Sequence, residues 1–210
     1  MRRYLEEKLF DPEVPCPKIP LEENKYDSLS EIELWEAFKI GDEGAFIRIY
    51  NTYFEELCDF GVQYASLDMV EDAVQDLFID LRKRRNRLPR IKNTIRLFLF
   101  QCLKRRILNF LKKENKINKG NISGHGFEII PSHESVIILN QERQIQFEKL
   151  DKALAGLNER QREAVYYYFY KGMSYDEVRE LIGFKDVKSV RNLIYKVVGT
   201  LRKSFLFFFV

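Results

Sequence analysis

The chain has 210 residues, 45% hydrophobic and 32% charged, with a formal net charge of +3, enough for one or two domains with real cores. No run of about 18 apolar residues occurs, and Met1-Arg-Arg leads into Tyr-Leu-Glu-Glu, so neither direct membrane insertion nor secretion is expected and the setting reads as cytoplasmic. Cys16, Cys58 and Cys102 lie far apart and away from His125 and His133, which speaks against a metal site or a disulfide framework; without a phosphate loop, nucleophile elbow or paired catalytic carboxylates, no enzyme activity, cofactor or small-molecule substrate is expected.

The small net charge hides an asymmetry. Residues 1–81 carry 20 acidic against seven basic side chains, whereas residues 82–119 carry fifteen basic ones against Glu114 alone. The second block is the candidate polyanion site. Ile95, Leu99, Leu103, Ile107 and Leu111 interrupt it at helical spacing, as a packed helix requires and a disordered basic tail does not.

Residues 11–20 hold four of the six prolines, so residues 1–28 read as an extended, loosely attached N-terminal segment. Residues 29–117 then read as a helical bundle whose first helix starts near Ser30. Its most informative helix lies in "MVEDAVQDLFIDLRKRR", residues 69–85. Val70, Ala73, Val74, Leu77 and Leu81 line one side, while Asp72, Gln75, Asp76 and Ile79 project from the other. An apolar anchor in a polar rim suits a partner-binding surface, and a singly exposed isoleucine suits an ordinary solvent face equally well.

The basic loop "RNRLPRIKN", residues 85–93, is suited to gripping an extruded base. In the following helix, residues 93–116, Phe98, Phe100 and Phe110 accompany Lys104, Arg105, Arg106, Lys112 and Lys113. Rings that stack on bases contribute roughly 1–3 kcal/mol each while cations track phosphates; burial in the bundle is the alternative for at least one ring. Residues 118–144, with three glycines and both histidines, read as a linker, in which residues 127–130 and 136–139 are expected to dock along a neighbouring domain rather than form strands.

Residues 145–204 read as a second helical domain. Asn158 and Gln161 signal one helix start, and that helix ends at Gly172. Ser174 and Glu177 form a capping box, and Gly183 sits where a left-handed cap is wanted. After a short connection comes "VKSVRNLIYKVVGTLRK", residues 187–203. Val187, Val190, Ile194, Val197, Val198 and Leu201 make its core stripe, and the remaining surface, with Lys188, Ser189, Arg191, Asn192, Tyr195 and Lys196, holds no acid. Short helix, tight turn and basic helix make a helix-turn-helix, whose second helix presents its first residues to the major groove. Tyr166-Tyr-Tyr168, the sole tyrosine cluster, reads as packing rather than as a nucleophile. The apolar tail, residues 205–210, is expected to pack on this domain.

Taken in order, "GDEGAFIRIYNTYFEELCDFGVQYASLDMVEDAVQDLFIDL", the aromatic basic helix, the linker and "LNERQREAVYYYFYKGMSYDEVRELIGFKDVKSVRNLIYKVVGTLRK" resemble a bacterial RNA polymerase sigma factor of the sigma-70 family. More narrowly the chain resembles the extracytoplasmic-function group, in the style of the Bacteroidetes type. The resemblance implies an all-α fold of two helical domains, a region 2 bundle and a region 4 helix-turn-helix, joined by a linker. It implies core RNA polymerase and promoter DNA as partners, with an anti-sigma factor as a further candidate. Asp72, Gln75 and Phe78 match the DxxQxxF pattern that docks on the polymerase, and Asp76 and Ile79 join that surface. For the −10 element it implies Arg87, Arg90, Lys92, Asn93, Arg96, Phe98, Phe100, Gln101, Lys104 and Arg105; for the −35 element, Lys188, Ser189, Arg191, Asn192, Tyr195 and Lys196. Phe98 stands where the family usually has tryptophan, and the turn "GFKDVKS" is one residue longer than usual. The acidic first part is expected to fold over the basic surfaces in the free chain. The alternative is a stand-alone helix-turn-helix regulator, which would bind a palindrome as a dimer.

Overall fold

A computed structural model describes residues 25–117, 127–129, 150 and 152–207, with side chains at 115, 117 and 203–207 excepted. Every regular element among the described residues is helical. Helix α1 spans Glu31–Ile40, opened by a capping box in which Ser30 Oγ accepts from Glu33 N–H and the Glu33 carboxylate accepts from Ser30 N–H. Helix α2 spans Glu43–Gly61 and α3 Leu67–Arg84. A single 3-10 turn, Arg85–Arg87, leads through a proline-containing loop to α4, Ile95–Ile117. The core of this first unit is apolar and aromatic, with Trp35, Leu57, Phe60, Val70, Val74, Leu99, Leu103 and Ile107 buried. Gly61 lets α2 and α3 approach closely, because a Cβ there would run into the Val70 side chain.

Asp42 opens α2. Its carboxylate accepts from Ala45 N–H at 3.1 Å and from the Tyr26 hydroxyl at 2.6 Å. The Tyr26 hydrogen bond, together with the backbone bond and Lys25, holds the Asp42 carboxyl down to about 2. A carboxyl lowered on folding stabilises the fold above its unfolded pKa of about 4 and loses that effect as the pH falls towards 2. Replacing Asp42 with alanine should therefore cost about 1–2 kcal/mol at neutral pH and progressively less as the pH falls through about 2; urea titrations over that range measure the decline.

The second unit contains α5, Glu159–Val165, continued by a π-turn, Tyr166–Tyr170, then α6, Tyr175–Ile182, and α7, Val187–Phe207. Capping boxes at Asn158 and Ser174 open α5 and α6. Gly183, with φ +79°, ends α6 in the left-handed region that glycine favours. Asp186 then turns the chain into α7 by accepting from Ser189 N–H and Ser189 Oγ. Val178, Leu181, Val190 and Ile194 are buried where α6 meets α7, and Val197 is buried against Leu154, Leu157 and Val165.

The two units pack on one another. Phe60 and Phe100 of the first meet Tyr166 and Tyr167 of the second in one continuous core, so Tyr166 and Tyr167 are packing residues, as their position in an amphipathic helix indicates. From the linker, Phe127 inserts into this aromatic seam and is fully buried. Its docking agrees with the sequence expectation as far as residues 127–129; residue 130, the expectations for 1–24 and 136–139, and the packing expected of the 205–210 tail lie outside the described residues and side chains.

Candidate nucleic-acid interface

Two surfaces stand out on the first unit. Along α3, Asp72 and Asp76 are exposed, Gln75 is half-exposed and Ile79 is 48% exposed. Phe78 requires a correction: it is buried rather than presented, edge-on to Tyr50 at 4.9 Å and to Phe46 at 6.1 Å. It belongs to the stripe of Val70, Val74, Leu77 and Leu81, and so supports the ridge from beneath. The ridge is densely acidic: burial first, and then Asp68 and Asp72, push the Glu71 carboxyl up. Arg106 of α4 reaches over to pair with Asp76 at 3.4 Å and, more closely, with Asp80, and that hydrogen bond lowers the Asp80 carboxyl. Sequence periodicity gives no sign of this bridge, because its ends lie on different helices.

The second surface is the loop before α4 and the first half of α4. Trp35 Nε1 donates to Pro89 O at 3.0 Å, and Glu31 accepts from Ile95 N–H at 2.7 Å, so α1 fixes both ends of the loop. Arg87, Arg90, Lys92 and Arg105 point into solvent. Phe98 is half-buried, edge-on to Trp35 at 5.1 Å. Phe100 is a further correction: fully buried and stacked on Phe60 at 4.3 Å, it has no face left for a base.

The other four candidates on this face are engaged by the second unit. Asn93 and Gln101 donate to the two oxygens of Glu180, at 2.9 and 3.0 Å. Arg96, held by Glu56 of α2, donates to Lys171 O at 2.8 Å. Lys104 donates to Glu163 at 2.6 Å and to Leu181 O at 3.0 Å. Tyr64 donates to Glu163 at 2.6 Å and lies against the Tyr167 hydroxyl. Burial first, with neighbouring negative charge, raises both phenols well above their ordinary value, so both hydroxyls stay protonated. The acids of the first part do pair with the basic block, through Glu43, Glu56, Asp76 and Asp80, and the C-terminal unit engages Arg96 and Lys104 of the same block.

On α7, Lys188, Arg191, Asn192, Lys196 and Tyr195 are exposed on one surface, Tyr195 at 66%. Ser189 is half-buried and tied to Asp186, so it closes the turn as well as facing outward. The Arg191 guanidinium lies over the Tyr175 ring at 5.3 Å, and Tyr175 stacks on Tyr168 at 4.7 Å. Tyr175 thus holds an exposed cation in place, a role that only the fold brings out. No cluster of metal-ligating side chains occurs among the described residues, and no described helix is long and apolar enough to cross a membrane.

Residues 147–199 match the family model for sigma-70, region 4. No curated protein matches the chain. Among solved structures, the chain is similar to CnrH in its complex with the cytosolic domain of CnrY: TM-score 0.55 and 17% identity, over 82% of this chain and 95% of that one. It is equally similar to the sigma factor RpoE in complex with the anti-sigma factor NepR from Bartonella quintana, with TM-score 0.55 and 17% identity over 76% and 96% of the two chains. At this identity the likeness establishes the all-helical, two-unit fold, and the C-terminal unit carries a sigma-70 region 4 domain.

Proposed function

We propose that the chain is a sigma factor of the extracytoplasmic-function group, which directs core RNA polymerase to promoters and assists in opening them. The observation that carries this reading is the presence, on one chain with a region 4 domain, of an exposed acidic ridge and a separate basic aromatic face outside the helix-turn-helix. A stand-alone regulator has no use for either. In this reading the ridge of Asp72, Gln75, Asp76 and Ile79 binds the polymerase. Arg87, Arg90, Lys92, Asn93, Arg96, Phe98, Gln101, Lys104 and Arg105 engage the −10 element, and Lys188, Ser189, Arg191, Asn192, Tyr195 and Lys196 engage the −35 groove. The polymerase performs the chemistry; this chain supplies binding energy, with phosphate contacts setting affinity and a few groove contacts setting sequence choice. Two tethered readers bind together more tightly than either does alone. An anti-sigma factor is the further partner that this reading predicts, since the similar RpoE structure is a complex with the anti-sigma factor NepR.

The test is promoter-dependent run-off transcription with purified core polymerase. Asp72→Ala with Gln75→Ala should weaken core binding at least tenfold and leave the thermal midpoint unchanged, because both side chains stand at the surface. Lys188→Ala with Arg191→Ala should leave core binding intact and reduce transcription from promoters that depend on the −35 element. A wild-type chain that fails to associate with core but binds a palindrome as a dimer would establish the stand-alone regulator instead.

A further inference from the structure

We infer that Tyr175 is a positioning residue for base selection by α7: with Tyr168 behind it, its ring fixes the plane of the Arg191 guanidinium, and Arg191 so held selects guanine at one position of the duplex. The inference rests on the reading above, in which α7 enters the −35 groove, and adds which side chain reads a base and what holds it.

Arg191 differs from the arginines that tie the fold together, which spend their donors on oxygen. Arg179 pairs with Asp176 and Glu180, Arg162 donates to the Phe127 and Leu157 carbonyls, and Arg96 donates to Glu56 and to Lys171 O. Arg191 is exposed, and among the described residues neither a carboxylate nor a carbonyl accepts from it; its contact is the Tyr175 ring, 5.3 Å from guanidinium carbon to ring centroid. A ring orients a cation through its face and leaves every N–H unspent, which a carboxylate cannot do.

The ring is itself held. Tyr175 is the first residue of α6, and it stacks on Tyr168 at 4.7 Å with 18° between the ring planes. Tyr168 lies in the π-turn Tyr166–Tyr170, where Lys171 N–H reaches back to Tyr166 O. Tyr166 and Tyr167 are buried, whereas Tyr168 is half-buried at the edge of the core and meets Phe169 at 4.9 Å. Cation, ring and ring form one stack that runs from α7 through α6 to the widened turn, a backbone feature frequent at functional sites.

The chemistry names the base. A planar fork with its donors free matches the O6 and N7 acceptors of guanine in the major groove, while adenine sets a donor against it at the same edge. Lys188 and Lys196, also exposed on α7, are point charges better suited to phosphates. A free arginine surrenders rotamer freedom when it binds, and the stack removes much of that freedom beforehand. Its loss should therefore weaken discrimination between bases more than overall affinity, which phosphate contacts set.

The test is selection from randomised duplex DNA by the full-length chain, alone and assembled with core polymerase, with the bound pools sequenced. Wild type should enrich guanine at one position where Arg191→Lys shows no preference. Tyr175→Leu should reduce that enrichment roughly tenfold, the worth of one bidentate contact, and leave the other positions unchanged. Tyr175→Phe, which keeps the ring, should restore it. Tyr168→Leu should act in the same direction to a smaller degree and supplies the readout if Tyr175→Leu does not fold. A Tyr175→Leu profile equal to wild type, a loss spread evenly over all positions, or a Tyr175→Phe profile as poor as that of Tyr175→Leu overturns the inference. A wild-type pool without a guanine that depends on Arg191 does the same. A Tyr175-dependent guanine in a palindrome bound by the chain alone, with no pool recovered through polymerase, would remove the sigma-factor reading and leave the role of Tyr175 standing.

Discussion

Replacing Phe100 with alanine should unfold much of the protein at moderate temperature, with a loss of about 3–5 kcal/mol and a fall in melting point of roughly 10 °C or more. The side chain has no exposed surface, stacks on Phe60 at 4.3 Å and carries the Arg96 guanidinium on its other side at 5.3 Å. Removing the ring deletes apolar contacts at the junction of α2 and α4 and leaves a cavity that the rigid helices cannot collapse. Phe98 is half-buried and Phe110 is 46% exposed, so alanine at these positions should cost progressively less, with Phe110 within about 0.5 kcal/mol of wild type. Thermal denaturation of the three variants separates scaffold from surface. A Phe100→Ala protein as stable as wild type but deficient in DNA binding would return Phe100 to the set of base-stacking residues.

The second large effect concerns Lys104→Met. The substitution leaves the Glu163 carboxylate with the Tyr64 and Tyr167 hydroxyls as its remaining partners, in a site where its side chain is 9% exposed. An orphaned buried charge costs about 3–5 kcal/mol, yet here the molecule has a cheaper response than unfolding. Parting the two units returns Glu163 to water, so the cost is capped by the free energy that holds the units together. Calorimetry should then resolve two transitions in place of one, with the first unit melting below its wild-type temperature because Phe60 and Phe100 lose the rings that cover them across the seam. A single transition, lowered as a whole, would mean that the two units cannot exist apart.

The local instructions of this fold are written in the sequence. The capping boxes at Ser30, Asn158 and Ser174 and the glycine at 183 are found where the residue types place them, because each needs only neighbours within one turn. The ridge was equally legible, apart from Phe78. The family motif places Phe78 at the surface, whereas periodicity, with Phe78 four residues after Val74 inside the apolar stripe, buries it. The cover over α4 was not legible. Asn93 and Glu180 are 87 positions apart, and no local pattern indicates that a glutamate of the second unit completes the first. The same holds for Phe127, whose burial depends on rings contributed by both units. Charge counting found the basic block and its need for acids, yet could not say which acids.

The clamp between α1 and the loop preceding α4 has a consequence for how Arg90 and Lys92 would meet a ligand. Trp35 secures Pro89 on one side and Glu31 secures Ile95 on the other, so these two cations hang from a short bridge moored at each bank. Their backbone entropy is surrendered once, during folding, and is not surrendered again on contact. Affinity at this rim is therefore limited by side-chain rotamers and counter-ions alone, and an extra residue spliced into the bridge would weaken recognition by restoring the slack that the two moorings remove.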